Sequence, residues 1–343
     1  MSVNSALVRL TYPGDRLGRA IALNSVVVAT ASVAGPTVAA LVLSVASWPW
    51  LFLIQLPLGV LVLFLGRALP SQAATGGGGQ LHPLDVVLNI LMFSLVFLGA
   101  DFLSARKGGE VDVAKVAAAA ACLVGGVLVG VFYLRRQWRR VDPLFPVDLL
   151  RIPIFALSMC TSVTAFAAQT LAFVSLPFLL LESQGRGHLE AGLLITAWPA
   201  ATVVAAPIAG RLIPRYPGGL LGGIGLATMA QGLALLALLP AQPTGGDIAW
   251  RLVLCGLGFG MFQSPNNHSI VISAPLRRAG AASGMLGTAR LTGQSLGAVI
   301  LGIIFSIAGV RDGGPEAALG IAAVLAAASA GFSLLRLRPS ARQ

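Results

Sequence analysis

Charged residues are scarce in this 343-residue sequence: they make up 10% of the chain, with only 12 Asp and Glu. Soluble domains carry about 25% charged residues, so the composition excludes an ordinary globular protein. The three cysteines all lie within apolar runs, which indicates no disulfide framework. The sequence also lacks a Gly-x-x-x-x-Gly-Lys-Ser/Thr phosphate loop, a metal-spaced His/Cys/Asp cluster and a Gly-x-Ser-x-Gly elbow. We therefore expect neither an enzyme nor a bound cofactor.

Hydrophobic residues make up 56% of the chain, and apolar runs of 18 or more recur along it. Such runs are typical of membrane-spanning helices. Lys and Arg number 23 and the pI is near 11.1, but these residues are scattered singly and in pairs between the apolar runs. That distribution fits membrane topology better than a phosphate-binding face. The sequence predicts an all-α polytopic membrane protein that contacts the lipid bilayer and a small-molecule substrate, not nucleic acid; it does not indicate an oligomeric state.

About 20 apolar residues cross a hydrocarbon core of about 30 Å. On this basis the sequence predicts ten spans: 20–46, 50–68, 84–105, 113–135, 153–181, 188–212, 217–240, 249–273, 281–310 and 315–336. With both termini inside, sixteen of the 23 basic residues fall on the inner side and six on the outer side, while Arg290 lies within a helix. Positive charge concentrates on the cytoplasmic side of membrane proteins, so this asymmetry favours cytoplasmic termini.

Two connections, 69–83 and 137–152, are longer than the others and rich in Gly, Pro or Arg. They predict three segments: 1–68 with two helices, 69–152 with a linker and a helix pair, and 153–343 with six helices.

When the sequence is aligned with itself at an offset of 262 residues, two segments at the beginnings of predicted helices match. The identities are Pro13, Arg16, Gly18, Ala20, Thr30 and Gly35 with Pro275, Arg278, Gly280, Ala282, Thr292 and Gly297. Chance identity is the alternative, because Ala and Gly are abundant. Internal repeats of this kind are how many secondary transporters are built.

Five stretches resemble the major facilitator superfamily: 12–20, 35–36, 47–59, 142–150 and 210–215. More narrowly, they resemble its fourteen-helix drug:proton antiporters (the DHA2-like group), around the fifth and sixth helices. The stretch 142–150 resembles that group's join into its second bundle. The stretch 210–215 resembles the second-half counterpart of the superfamily's Gly/Arg/Asp loop. The block 47–59 is the most specific part of the resemblance.

This resemblance implies a secondary active transporter that exports drugs or other amphiphilic small molecules, multidrug efflux included. It implies a proton gradient as the driving force, no cofactor, and a bacterial inner membrane location. Gly35 and Pro36 would form the antiporter kink of the first helix, since proline removes a backbone hydrogen bond and glycine permits the bend; an ordinary membrane-helix proline is the alternative. The resemblance also implies inner-loop gating by Arg16, Arg19, Arg211 and Arg215.

The sequence departs from the family pattern in three ways. Ala39 and Ala40 replace two glycines that usually follow Gly-Pro, and Pro214 stands where an acidic residue is common. If the first helix here corresponds to the family's fifth, four helices have no counterpart. We expect either an internal methionine at position 1 or a gene remnant, with a self-sufficient ten-helix protein as the alternative. The competing functions are therefore a non-transporting remnant and a ten-helix permease of another family.

Polar groups within the spans are the candidates for the transport pathway. Arg290 lies about 15 Å into its helix, where a guanidinium is costly unless it faces water or a partner; a structural tether is the alternative. Gln263 and Asn267 share a helix face, which suits a cavity wall or interhelical hydrogen bonding. The remaining candidates are Gln169 with Thr170 at mid-membrane, and Asp101 and Glu182 near outer helix ends, either as buried proton carriers or as solvated rim charges.

Glycines at four-residue spacing predict close helix contacts. The pairs are Gly126 and Gly130, Gly256 and Gly260, and Gly293 and Gly297.

Overall fold

The structure, a computed structural model, describes residues 7–9, 12–47, 49–67, 82–104, 113–138, 145–240, 242–310 and 313–337. Within these residues ten helices follow the ten predicted spans. They are α1 Gly14–Val45, α2 Gln55–Gly66, α3 Pro83–Ser104, α4 Val113–Trp138, α5 Pro153–Phe178, α6 His188–Leu212, α7 Gly218–Ala237, α8 Gly245–Ser273, α9 Ala279–Ala308 and α10 Gly314–Leu335. Short helical turns, Trp50–Leu53 and Val147–Leu150, precede α2 and α5.

Seven helices in the described part of the chain are long and apolar enough to cross a membrane, namely α3 to α7, α9 and α10. The segment Trp50–Gly66, which contains α2, is apolar but shorter. The helices α1 and α8 have 32 and 29 residues, so at about 1.5 Å per residue each is also long enough to cross the bilayer core. The prediction of an all-α polytopic membrane protein is confirmed.

Local sequence signals explain several helix ends. Proline occupies the first helical turn of α5 and α10, where its missing N–H costs nothing. Thr244 and Asp247 form a capping box at the start of α8: the Asp247 amide donates to the Thr244 hydroxyl at 3.1 Å, and the Thr244 amide donates to the Asp247 carboxylate at 3.0 Å. Pro177 lies near the end of α5, and the chain continues as a π-helical segment, Leu179–Ser183.

The helices α5 to α10 pack around one large apolar core that includes Trp198, Leu171 and Phe262. Glycines allow the closest approaches. A Cβ on Gly293 would lie 2.5 Å from the Val163 carbonyl oxygen of α5, and a Cβ on Gly260 would lie 2.7 Å from the Ala205 Cβ of α6. The spacing of these glycines in the sequence predicts such contacts.

The first four helices pack less densely. Leu17 and Ile21 of α1 are buried with Val271 of α8, and α1 also runs along α6. The helices α3 and α4 pair with each other, joined by an Arg136–Asp85 salt bridge of 2.8 Å, and α3 touches α9. By contrast, α2 has no buried residue.

Contacts between loops fix which helix ends lie together. At one end, which we call the inner end, Gly18 lies against Ile213 and Arg278 binds Asp148. At the opposite, outer end, the Arg186 guanidinium donates to the Pro243 carbonyl. These contacts agree with alternating helices; that the inner end is cytoplasmic stays a prediction.

Candidate functional site

A cavity of about 260 Å³ lies between α1 and four helices of the segment 153–343. Its described lining comes from α5, α6, α8 and α9, with Val28 contributed by α1. The other lining residues are Phe166, Gln169, Thr170, Phe173, Trp198, Pro199, Thr202, Phe259, Gln263, Arg290 and Gln294. The cavity lies near the middle of these helices, which is where secondary transporters bind their substrates.

Four aromatic rings form much of the cavity wall. The Phe173 and Trp198 ring centroids are 4.8 Å apart with an interplanar angle of 51°. Phe166 and Phe259 meet edge to face at 5.7 Å between centroids. Such pairs stabilise each other beyond the area they bury, so they hold the wall in one geometry. Phe173 is half-buried and the other three rings are almost fully buried, so they border the cavity from within the packed core and fix its shape.

Neutral hydrogen-bonding groups share the wall with these rings. Gln169 and Thr170 project from α5, Gln263 from α8 and Gln294 from α9. The Thr202 hydroxyl of α6 already has protein partners, because it lies 3.1 Å from both the Trp198 and the Gly256 carbonyl oxygens. It therefore contributes to the packing of α6 on α8. The glutamine amides each carry a donor and an acceptor group that can orient a polar substrate.

Arg290 is the charged member of the described lining. Its guanidinium carbon lies 5.5 Å from the centroid of the Phe166 ring, within the range of a cation–π interaction. The side chain is half-buried. A guanidinium at this depth lines a cavity that is partly shielded from water, where its charge acts more strongly than at a surface.

The cavity brings together three of the predicted pathway residues, Arg290, Gln169 and Gln263. Asn267 is half-buried and does not belong to the described lining. Glu182 is exposed in the π-helical segment, beside a second, outer-end cavity of about 370 Å³ that Glu316 also lines. Asp101 lies on α3, and its side chain is outside the described part of the chain.

The predicted gating residues and Gly35 do not belong to the described lining of this cavity. Arg16, Arg19, Arg211 and Arg215 are exposed at the inner end. The helix α1 continues without interruption through Gly35, which is exposed. The side chain of Pro36 is outside the described part of the structure. These roles stay predictions.

A buried polar network at the inner end was not predicted. Arg336 Nη1 donates to the Ser158 hydroxyl and to the Asn266 side-chain oxygen, both at 2.9 Å, and the Asn266 amide donates to the Ser162 hydroxyl at 2.8 Å. Asn266 and both serines are fully buried. The network joins α5, α8 and the end of α10. The only sequence signal was the polar patch that contains Asn266, because an arginine at a predicted helix end usually faces solvent.

The comparisons with known proteins agree on one family. Residues 1–298 match the model of the Major Facilitator Superfamily. The chain is 51% identical over 338 residues to the uncharacterized transporter YebQ of Escherichia coli. The aligned region covers 98% of this chain and 72% of that relative.

Two more distant relatives have functional names. The tetracenomycin C resistance and export protein of Streptomyces glaucescens is 29% identical over 88% of this chain. The riboflavin transporter RibZ of Clostridioides difficile is 25% identical over 89% of it. The chain spans 55% and 65% of the lengths of these two proteins.

The family match excludes a permease of another family, and it agrees with the helical architecture and the midmembrane cavity. The chain belongs to the Major Facilitator Superfamily.

Proposed function

We propose that this chain forms the substrate cavity of a secondary transporter that exports amphiphilic small molecules, and that a proton gradient drives the export. The observation that carries the proposal is the composition of the cavity wall. Rings from Phe166, Phe173, Trp198 and Phe259 face the same space as glutamine amides and Arg290. A wall of this kind suits molecules with an apolar ring system and a few polar groups. Tetracenomycin C export and riboflavin transport by two relatives support a small-molecule substrate.

We further propose that four additional helices of the first bundle complete the cavity in the working transporter. Within the described lining, α1 supplies Val28 and the other residues come from α5, α6, α8 and α9, so most of the described wall belongs to the segment 153–343. The helix α2 exposes apolar side chains on every face. Gln55 is exposed in the same helix, and among the described residues its amide donates to the Leu51 carbonyl alone, at 3.4 Å. A polar amide in lipid is unfavourable, so packing against protein explains Gln55 better than contact with lipid.

Proton coupling requires a carrier group that changes protonation during the cycle. None of the described lining residues is acidic, so the carrier is sought elsewhere. Asp101 and Glu182 are the candidates within the chain. Carrier acids in the added helices are the alternative.

Reconstitution in liposomes tests the proposal. We would compare the 343-residue chain with a chimera that adds the segment of the E. coli relative left out of the alignment. Fluorescent dyes of negative, zero and positive charge would be supplied, with and without an imposed pH gradient. We expect gradient-dependent transport by the chimera, its loss when an ionophore collapses the gradient, and no transport by the chain alone.

Each other outcome is informative. Transport by the chain alone would contradict the need for added helices and favour a self-sufficient ten-helix protein or a dimer. A chimera that inserts, stays folded and transports none of the dyes would contradict the export proposal and favour a non-transporting remnant. Transport that ignores the pH gradient would contradict proton coupling only. The matched controls are the Arg290→Ala chimera, which should insert without transporting, and empty liposomes.

A further inference from the structure

We propose that the cavity selects aromatic anions: it binds a planar aromatic acid more tightly than the corresponding alcohol, and an aromatic cation least. This inference rests on the proposed function, because it names the substrate class of the same cavity. Three features of the wall support it: its charge, its hydrogen-bonding groups and its rings.

The charge of the wall favours an anion. Arg290 carries the positive charge, and all the other residues in the described lining are neutral. An ion in a cavity shielded from bulk water interacts with a fixed charge more strongly than it would in water. A cationic substrate would meet repulsion from Arg290 and no carboxylate among the described lining residues. An anionic substrate would meet attraction.

The groups around Arg290 suit a carboxylate in particular. A guanidinium presents a planar fork of donors that matches the two oxygens of a carboxylate. Gln294 lies one helical turn after Arg290 on α9, and Gln263 lies across the cavity on α8. Their amide N–H groups can donate to the remaining lone pairs of the acid. The Arg290 guanidinium carbon also lies 5.5 Å from the centroid of the Phe166 ring, so the charge and one ring of the lining are direct neighbours.

The rings define the shape of the apolar part. Phe173 and Trp198 are tilted by 51°, and Phe166 and Phe259 by 73°, so these ring pairs hold the apolar part of the wall in one shape. Aromatic ligands gain from offset-stacked and edge-to-face contacts with such rings. A flat fused-ring ligand whose acid group points to Arg290 uses the polar and the aromatic parts of the wall at once.

Three ligands with one ring system and different charge test the inference. Anthracene-2-carboxylate, 2-anthracenemethanol and 2-anthrylmethylammonium would each be titrated against the purified chain, and against the chimera, in nanodiscs of zwitterionic lipid. Fluorescence anisotropy would measure binding, and empty nanodiscs would correct for partition into lipid. We expect the dissociation constant of the carboxylate to be lower than that of the ammonium compound by a factor of about ten, which corresponds to a difference in binding free energy of about 1.4 kcal/mol.

Variants of the chain test the role of Arg290. Arg290→Gln should remove the preference for the carboxylate, and Arg290→Lys should keep the preference with weaker binding because the fork geometry is lost. Arg251→Gln is the matched control: Arg251 lies on α8 near its outer end, bonded to the Asp247 carbonyl at 2.5 Å, and it is not part of the described lining. That variant should bind the carboxylate as the wild type does.

The inference is overturned if the ammonium compound binds as tightly as the carboxylate, if none of the three ligands binds to either the chain or the chimera, or if Arg290→Gln leaves the preference intact. The comparison of ligands on the wild-type chain needs no variant to fold. Because the assay measures binding, it is independent of export. Arg290-dependent carboxylate binding without transport would overturn the proposed function alone, whereas transport of cations in preference to anions would overturn this inference alone.

Discussion

Arg278 holds Asp148 with two nitrogen atoms: Nε donates to Oδ2 at 3.1 Å, and Nη2 donates to Oδ1 at 2.8 Å. Asp148 lies in the turn Val147–Leu150 before α5, and Arg278 ends the 3₁₀ turn before α9. The two residues are 130 positions apart in the sequence. This fork therefore fixes the beginnings of two cavity-lining helices against each other at the inner end.

Breaking this fork should loosen the inner end. Asp148→Asn removes the charge, and a double-mutant cycle with Arg278→Gln should give a coupling free energy of about 1 kcal/mol, the upper range for partly exposed pairs, because the contact is bidentate. Thermal unfolding in detergent would measure it. Arg67→Gln, at the exposed end of α2, is the control and should not change the midpoint. Additive single-variant effects would mean that the fork contributes nothing.

Arg290 should be sensitive to shape as well as to charge. In the transporting chimera, Arg290→Lys keeps the positive charge but loses the planar fork and its contact with Phe166, so we expect slower transport with the substrate preference retained. Arg290→Ala should abolish transport while insertion stays normal. Dye transport and a protease-protection assay for insertion would measure the two properties. Wild-type transport by Arg290→Ala would remove this residue from the substrate pathway.

Two glycines of α9 should respond differently to a methyl group. A Cβ on Gly293 would meet the Val163 carbonyl oxygen at 2.5 Å and the Phe166 Cβ at 2.9 Å, whereas a Cβ on Gly287 has open space within 4 Å. Gly293→Ala should therefore cost about 1–3 kcal/mol through overpacking. Gly287→Ala should be neutral or slightly stabilising, because alanine has the higher helix propensity. Equal unfolding midpoints for both variants would contradict the packing of α9 on α5.

Asn266 and Asn267 form a second matched pair. Asn266→Leu would remove one of the buried partners of Arg336 and the amide that donates to Ser162, and should cost about 1–3 kcal/mol. Asn267 is half-buried, and Asn267→Leu should have a smaller effect. Unfolding midpoints of the two variants would be compared. A larger loss from Asn267→Leu would show that the polar network does not depend on Asn266.

The topology predicts opposite sides for two loops. A reporter inserted after residue 79 should be active on the cytoplasmic side, because this loop follows the second helix of a chain whose amino terminus is inside. A reporter inserted after Arg186, at the outer end, should be active on the other side. Alkaline phosphatase and green fluorescent protein fusions would measure the two locations. Equal behaviour of the two sites would contradict ten alternating helices.

The sequence predicted how far along its helix a polar residue lies, but it did not predict which face of the helix carries the side chain. The apolar runs located all ten helices, and counting inward from a helix end placed Arg290 at the level of the cavity. In the polar patch of α8, Gln263 lines the cavity, but Asn266 rather than Asn267 is buried in the network. The hydrophobic pattern cannot separate these positions, because a membrane helix is apolar on the lipid side as well as the protein side.

The aromatic wall was missed for a related reason. Phe166, Phe173 and Trp198 lie in runs of apolar residues, where a ring is equally compatible with lipid, a packed core or a cavity. Their assignment depends on contacts between α5, α6 and α8, and pairings between distant helices leave no periodic signal in one sequence. Arg336 is a similar case, because its partners Ser158 and Asn266 lie 178 and 70 positions away.

The glycines of α8 face two neighbours at once. Gly256 and Gly260 meet the backbone and small side chains of α6, and Gly258 meets Gly225 of α7. Because α8 packs closely against the backbones of both neighbours, it cannot rotate or slide between them. We therefore expect α6, α7 and α8 to move as one rigid body. Alternation between inward-open and outward-open states would then move α1 against these three helices and change the contact of Gly18 with Ile213 at the inner end.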